Sequence, residues 1–125
     1  MKKILLLLML LLGTMTFAQE TFVRKYVSMI VTSDFVTTES QDADVTVVFN
    51  PNGQRKIVFY FSNGNRRVYY QLEGVTEGKT NAGEEYQFIK CLDEQGVTTF
   101  IQLFDELGCL RVIISEGYKI EFYTY

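Results

Sequence analysis

The 125-residue chain contains no histidine and no tryptophan, a single proline and two cysteines. Without histidine there is no Ser–His or Cys–His nucleophile pair and no imidazole ligand for a metal. A P-loop and a glycine-rich dinucleotide turn are missing as well. Paired carboxylates can hydrolyse glycosides in principle. Here, however, Asp93, Glu94, Asp105, Glu106 and Glu116 fall in glycine-bearing turns, where acidic groups are normally solvated, and Glu84-Glu85 closes a loop. Asp42-Ala43-Asp44, with Asp34 nearby, has no glycine-bearing calcium loop around it and reads as linker. The expectation is a non-enzymatic protein with no catalytic residue, no metal and no cofactor.

One long apolar run, Ile4 to Leu12, follows Lys2 and Lys3 and precedes the small residues around Thr16-Phe17-Ala18. This is the pattern of a cleaved secretory signal peptide over residues 1–18, and the run is too short for a stable spanning helix. No cysteine follows the small residues, so the lipoprotein version of the signal is missing. The expected mature chain is one domain, residues 19–125, located in the periplasm or secreted. It carries ten basic and fifteen acidic residues, a net charge of −5. Such a domain repels nucleic acid and anionic lipid surfaces.

What remains is dense in Val, Ile, Phe and Tyr, which suit a pleated, half-buried surface. Turn signals cut it at short intervals. Asn50–Gly53, Asp93–Gly96 and Asp105–Gly108 each place Asn or Asp three residues before Gly, the form of a three-residue hairpin loop. Asn63-Gly64 and Glu116-Gly117 suit two-residue hairpins. With these turns, Val47 should face Ile57 across one strand pair, and Phe59 should face Val68 across the next. Tyr60, Arg67 and Tyr69 then share a less apolar face with Lys56 and Gln71. In the second half Ile89, Cys91, Ile101, Leu103, Ile113, Ile120 and Phe122 form one face. Tyr86, Phe88, Leu92, Phe100, Phe104, Leu110, Val112, Ile114 and Tyr123 lie on the other, so both faces are apolar. Ser33–Asp44 and Glu73–Glu85 read as connections, and no stretch reads as a helix.

The fold class is therefore all-β: a single antiparallel meander of about eight short strands. A small up-and-down β-barrel, with the first strand (about Thr21 to Val31) paired to the last, removes exposed edges. A two-sheet β-sandwich is the alternative. In this register Cys91 and Cys109 stand roughly 20 Å apart, at ~4.8 Å per strand and ~3.3 Å per residue. That is beyond disulfide reach, so two separate thiols are expected, Cys91 buried and Cys109 beside a turn. The chain ends on aromatics, as many membrane barrels do, but Glu121 and Lys119 interrupt the stripe a lipid-facing strand needs. An integral membrane protein is not expected.

Two kinds of function suit these features. In one, the barrel holds a small apolar ligand inside; the candidate ligand-binding residues Tyr60, Arg67 and Tyr69, on the less apolar face, suit a platform that stacks on and hydrogen-bonds a sugar or peptide. In the other, the doubly apolar second half docks on a protein partner or on a second copy as a homodimer.

Overall fold

Apolar residues occupy every second position from Val45 to Phe49 and from Ile57 to Phe61. A strand converts that period of two into one buried face. A computed structural model describes residues 20–125. The leader expected over 1–18, and Gln19, lie outside the described residues. Ten strands form: β1 (Phe22–Ser33), β2 (Val36–Thr37), β3 (Gln41–Phe49), β4 (Lys56–Phe61), β5 (Arg66–Gln71), β6 (Thr76–Lys79), β7 (Glu85–Leu92), β8 (Thr98–Phe104), β9 (Cys109–Ser115) and β10 (Tyr118–Tyr123).

Eight of them follow one another as β1-β3-β4-β5-β7-β8-β9-β10, and β10 pairs back on β1. The result is a closed, antiparallel, up-and-down barrel; the sandwich alternative does not form. Closure runs through Met29 opposite Phe122 and Val31 opposite Ile120. The Ser28 hydroxyl adds a bond by donating to the Tyr125 carbonyl at 2.6 Å. The two extra strands arise inside the expected connections: β2 pairs with β1, and β6 pairs with β7. Gly78 of β6 is opposite Tyr86, whose ring occupies the space a side chain would need. The same ring packs on Phe104 at 5.2 Å between centroids. Among the described residues no helix is long and apolar enough to cross a membrane.

The barrel centre is filled. Phe59 meets Tyr69 edge-on at 5.3 Å and Phe122 at 5.6 Å, and Tyr26 lies 6.2 Å from Phe122. Val47, Ile57, Ile101, Leu110 and Val112 close around them. Aromatic pairs at these separations add to the area they bury.

Three turns differ from their expected lengths, with different consequences. Around Pro51 the loop is two residues longer, because Asn50 and Asn52 join Gly53 at positive φ and the Asn50 amide donates to the Lys56 carbonyl at 2.8 Å. Val47 then faces Phe59. An even shift leaves each strand's buried face unchanged. At Asn63-Gly64 the loop is one residue longer. The Phe61 amide donates to the Asn65 carbonyl, and the Asn65 amide donates to the Asn63 side chain at 2.9 Å. Phe59 now faces Arg67, and Ile57 faces Tyr69. This odd shift turns β5 over, so Tyr69 enters the core while Val68 and Tyr70 face outward.

At Asp105–Gly108 a further one-residue slip puts Leu103 opposite Leu110 and Ile101 opposite Val112. Leu110 and Val112 therefore point inward, contrary to expectation, and Ile113 points out. A bulge where β9 meets Tyr118 and Lys119 restores the register, leaving Ile120 opposite Val112 and Phe122 opposite Leu110. The two slips cancel, so Ile120 and Phe122 line the inside as expected. Inversion of β9 also separates the cysteines: Cys91 lies inside the barrel and Cys109 lies under side chains on its outer wall. Both are buried free thiols.

Candidate functional site: a cleft at the barrel mouth

Hairpins of unequal length leave a gap in the barrel wall. Strand β7 ends at Leu92, opposite Tyr70. The β4–β5 hairpin continues past that point, so the stretch from Arg66 to Tyr69 has no β7 partner. The tight turn Asp93–Gly96 explains why β7 stops there. The Asp93 carboxylate accepts from the Gln95 and Val97 amides at 2.9 and 2.8 Å, and Gly96 takes φ 83°.

The direction of each backbone group on β5 follows from its bonds. The Gln71 amide donates to Arg55 on the β4 side, and the Leu72 amide donates to Lys90 on the β7 side. Even-numbered residues thus aim their amides and carbonyls at β7 and, farther along, at the gap. The Val68 amide, which has no carbonyl to meet, donates to Glu94 Oε1 at 2.9 Å.

A cleft of about 500 Å³ occupies the gap. Arg67 and Tyr69 of β5 form one wall, and Asp93 and Glu94 form the rim. Val97, Thr99 and Ile114 supply a largely apolar floor. The Arg67 guanidinium lies 5.9 Å from the centre of the Phe61 ring, and neither Arg66 nor Arg67 forms an ion pair among the described residues. Burial raises the Tyr69 hydroxyl's pKa and the nearby Arg67 offsets this in part; the net shift is upward. Tyr69 therefore stays a neutral donor and acceptor at ordinary pH. A cation, a hydroxyl and an apolar floor together can hold an acidic group attached to an apolar body.

Of the residues the sequence singles out, Arg67 and Tyr69 come together in this cleft. Tyr60 does not join them. It faces Arg66 on the outer surface, on the other side of the sheet from Tyr69, because of the one-residue slip at Gly64. Thr99 had no sequence signal of its own, while Glu94 read as a solvated turn acid and Ile114 as part of the second apolar face. The unequal reach of the two hairpins, had the Asn63 loop been read one residue longer, would have pointed to them.

A second cluster lies on the outer wall. Gln102, Arg111 and Glu121 stand directly opposite one another on β8, β9 and β10. Arg111 donates to Gln102 Oε1 and to Glu121 Oε2, both at 3.2 Å, and the Tyr123 hydroxyl donates to Glu121 Oε2 at 2.8 Å. Burial alone would raise the Glu121 pKa. The Tyr123 hydroxyl, Arg111 and Lys119 outweigh it, so the carboxyl titrates below its usual range. Arg111 also lies over the Phe104 ring at 5.3 Å. Its own neighbours thus meet both terminal nitrogens of Arg111 and the Glu121 carboxylate, while the buried Arg111 Nε has no hydrogen-bond partner. Among the described residues no group of three or more Cys, Asp or Glu side chains could hold a metal ion.

No family model, curated protein or solved structure matches the chain. The functional reading therefore rests on the geometry of the cleft.

Proposed function

We propose that the protein is a non-enzymatic binding domain that holds a small ligand with an acidic end and an apolar body in the cleft between β5 and the β7–β8 turn. The observation that carries this reading is Arg67. It is a cation without an ionic partner among the described residues, set beside the Tyr69 hydroxyl above the apolar floor of Val97 and Ile114. The filled barrel centre argues for a ligand at the mouth and against the internal apolar ligand that the sequence suggests. The leader's pattern makes a periplasmic or secreted setting part of the proposal. Docking through the second half has less support, because Tyr86 and Arg111 of the same chain already cover Phe104 on that wall.

Anilinonaphthalene sulfonate, an anion with an apolar body, is a suitable probe. Its fluorescence should rise saturably with one site per chain. Arg67→Gln should weaken that binding about tenfold, the loss of one charge-assisted contact, and Tyr60→Ala should leave it unchanged. Non-saturable binding, or the same affinity in Arg67→Gln, would refute the proposal.

A further inference from the structure

We infer that the ligand of this cleft is an extended peptide with a free C-terminal carboxylate, added as a short antiparallel strand along the open edge of β5. The inference rests on the binding reading above and specifies the ligand's chemistry. An amide at a sheet edge normally meets the carbonyl of a neighbouring strand. At Val68 a side-chain carboxylate, Glu94, takes that carbonyl's place. The edge therefore offers backbone groups in strand geometry, with an acceptor that an incoming carbonyl can displace. An unpaired edge of this kind is how proteins capture peptides by strand addition.

The dimensions fit. The stretch Arg66 to Tyr69 spans roughly 13 Å at ~3.3 Å per residue, and Arg66 and Val68 present their backbone groups to the gap. The cleft of about 500 Å³ accommodates alternate side chains of such a peptide above Val97 and Ile114. Charge selects the end that binds. Arg66 projects to the outer face, and Arg67, on the cleft side at the start of β5, is a cation without an ionic partner among the described residues. A terminal carboxylate answers that charge in bidentate form. Glu94 acts as an occupant of the edge in the unliganded protein and yields its bond when the peptide arrives.

The test uses the peptide acetyl-Thr-Val-Thr-Val-Glu with a free C-terminus, and the same peptide N-methylated at its central residues. The first should displace anilinonaphthalene sulfonate and shift the Val68 and Arg66 amide signals in a nitrogen–proton correlation spectrum. N-methylation removes the backbone donors and should weaken binding about tenfold or more. Glu94→Ala, which frees the Val68 amide, should bind the peptide more tightly than Glu94→Gln, which keeps an acceptor oxygen but loses the same charge. Equal affinity of the two peptides, or of the two variants, would overturn strand addition and leave the site standing. So would a protein that binds the sulfonate probe and ignores both peptides. If neither probe nor peptide binds, the site itself falls, and the inference with it.

Discussion

At the scale of single residues, Glu121 shows how one carboxylate ties two strands together. It is 8% exposed, yet it accepts from Arg111 and Tyr123 while Lys119 stands 3.5 Å away. Its depressed pKa means that this stabilisation is present above the unfolded carboxyl's pKa of about 4.3. It is lost as the pH falls through the lower folded value. Glu121→Gln should therefore cost about 2 kcal/mol at neutral pH, the range for hydrogen bonds to a charged group. The gap between variant and parent should close below about pH 4. Urea denaturation across that pH range measures both; a pH-independent difference would mean that packing, not charge, sets the cost. Cys91 illustrates the opposite case. Burial pushes its thiol up to about 12, which leaves it a small apolar core residue with no reactive thiolate.

At the scale of elements, the shared role of β1 matters most. It pairs with β3 from Phe22 to Met29 and with β10 from Ser28 to Thr32, so Ser28 and Met29 meet both, and its β3 register shifts between Tyr26 and Ser28. The final strand supplies the closing partner, and Phe122 is 2% exposed against Tyr26 and Phe59. Removing Phe122 to Tyr125 should strip Ser28 and Met29 of β1 and Cys109 and Leu110 of β9 of their β10 partners and take the Phe122 ring out of the core. The truncated protein should lose its cooperative thermal transition by circular dichroism. A truncation that stayed folded would show that the Phe122 end of the β1–β10 pairing is dispensable. Edge strand β6 pairs on one side alone, and Gly78 under the Tyr86 ring shows how an aromatic from the paired strand covers a glycine.

At the scale of the whole molecule, closure and filling of the barrel decide where a ligand can go. Phe59, 1% exposed, stands where rings from β4, β5 and β10 converge. Phe59→Ala should cost about 3–5 kcal/mol, the loss for a large aromatic in a core that cannot collapse. That is a substantial share of the ~5–15 kcal/mol that stabilises a domain. Chemical denaturation should register it; a cost near 1 kcal/mol would mean that the centre is loosely packed. Tyr69 belongs to both the core and the cleft, whereas Arg67 lies outside the core cluster, so Arg67→Gln should weaken binding with little loss of stability.

The composition, the glycine-bearing turns and the alternation along β3, β4, β7 and β8 were enough to determine an all-β meander, while its closure as a barrel and not a sandwich came from the β1–β10 pairing. The Asp93 hairpin was legible to the residue because Asp93 locks its own turn with two local hydrogen bonds. The strands that turned over were ambiguous for physical reasons. β9 carries apolar residues at both parities, Leu110, Val112 and Ile114 against Cys109 and Ile113, and a turn read one residue too short set the wrong face. Likewise β5 offers Tyr69 or Tyr70, and the Asn63-Gly64 pair serves loops of two residues or three. Packing against Phe59 made that choice, and no local signal encodes it. Arg67 and Tyr69 were thus visible as a pair, while their cleft depends on where β7 stops relative to β5. Sequence determined the strands and their chemistry; tertiary packing decided the odd-numbered shifts, and with them which side chains meet at the mouth.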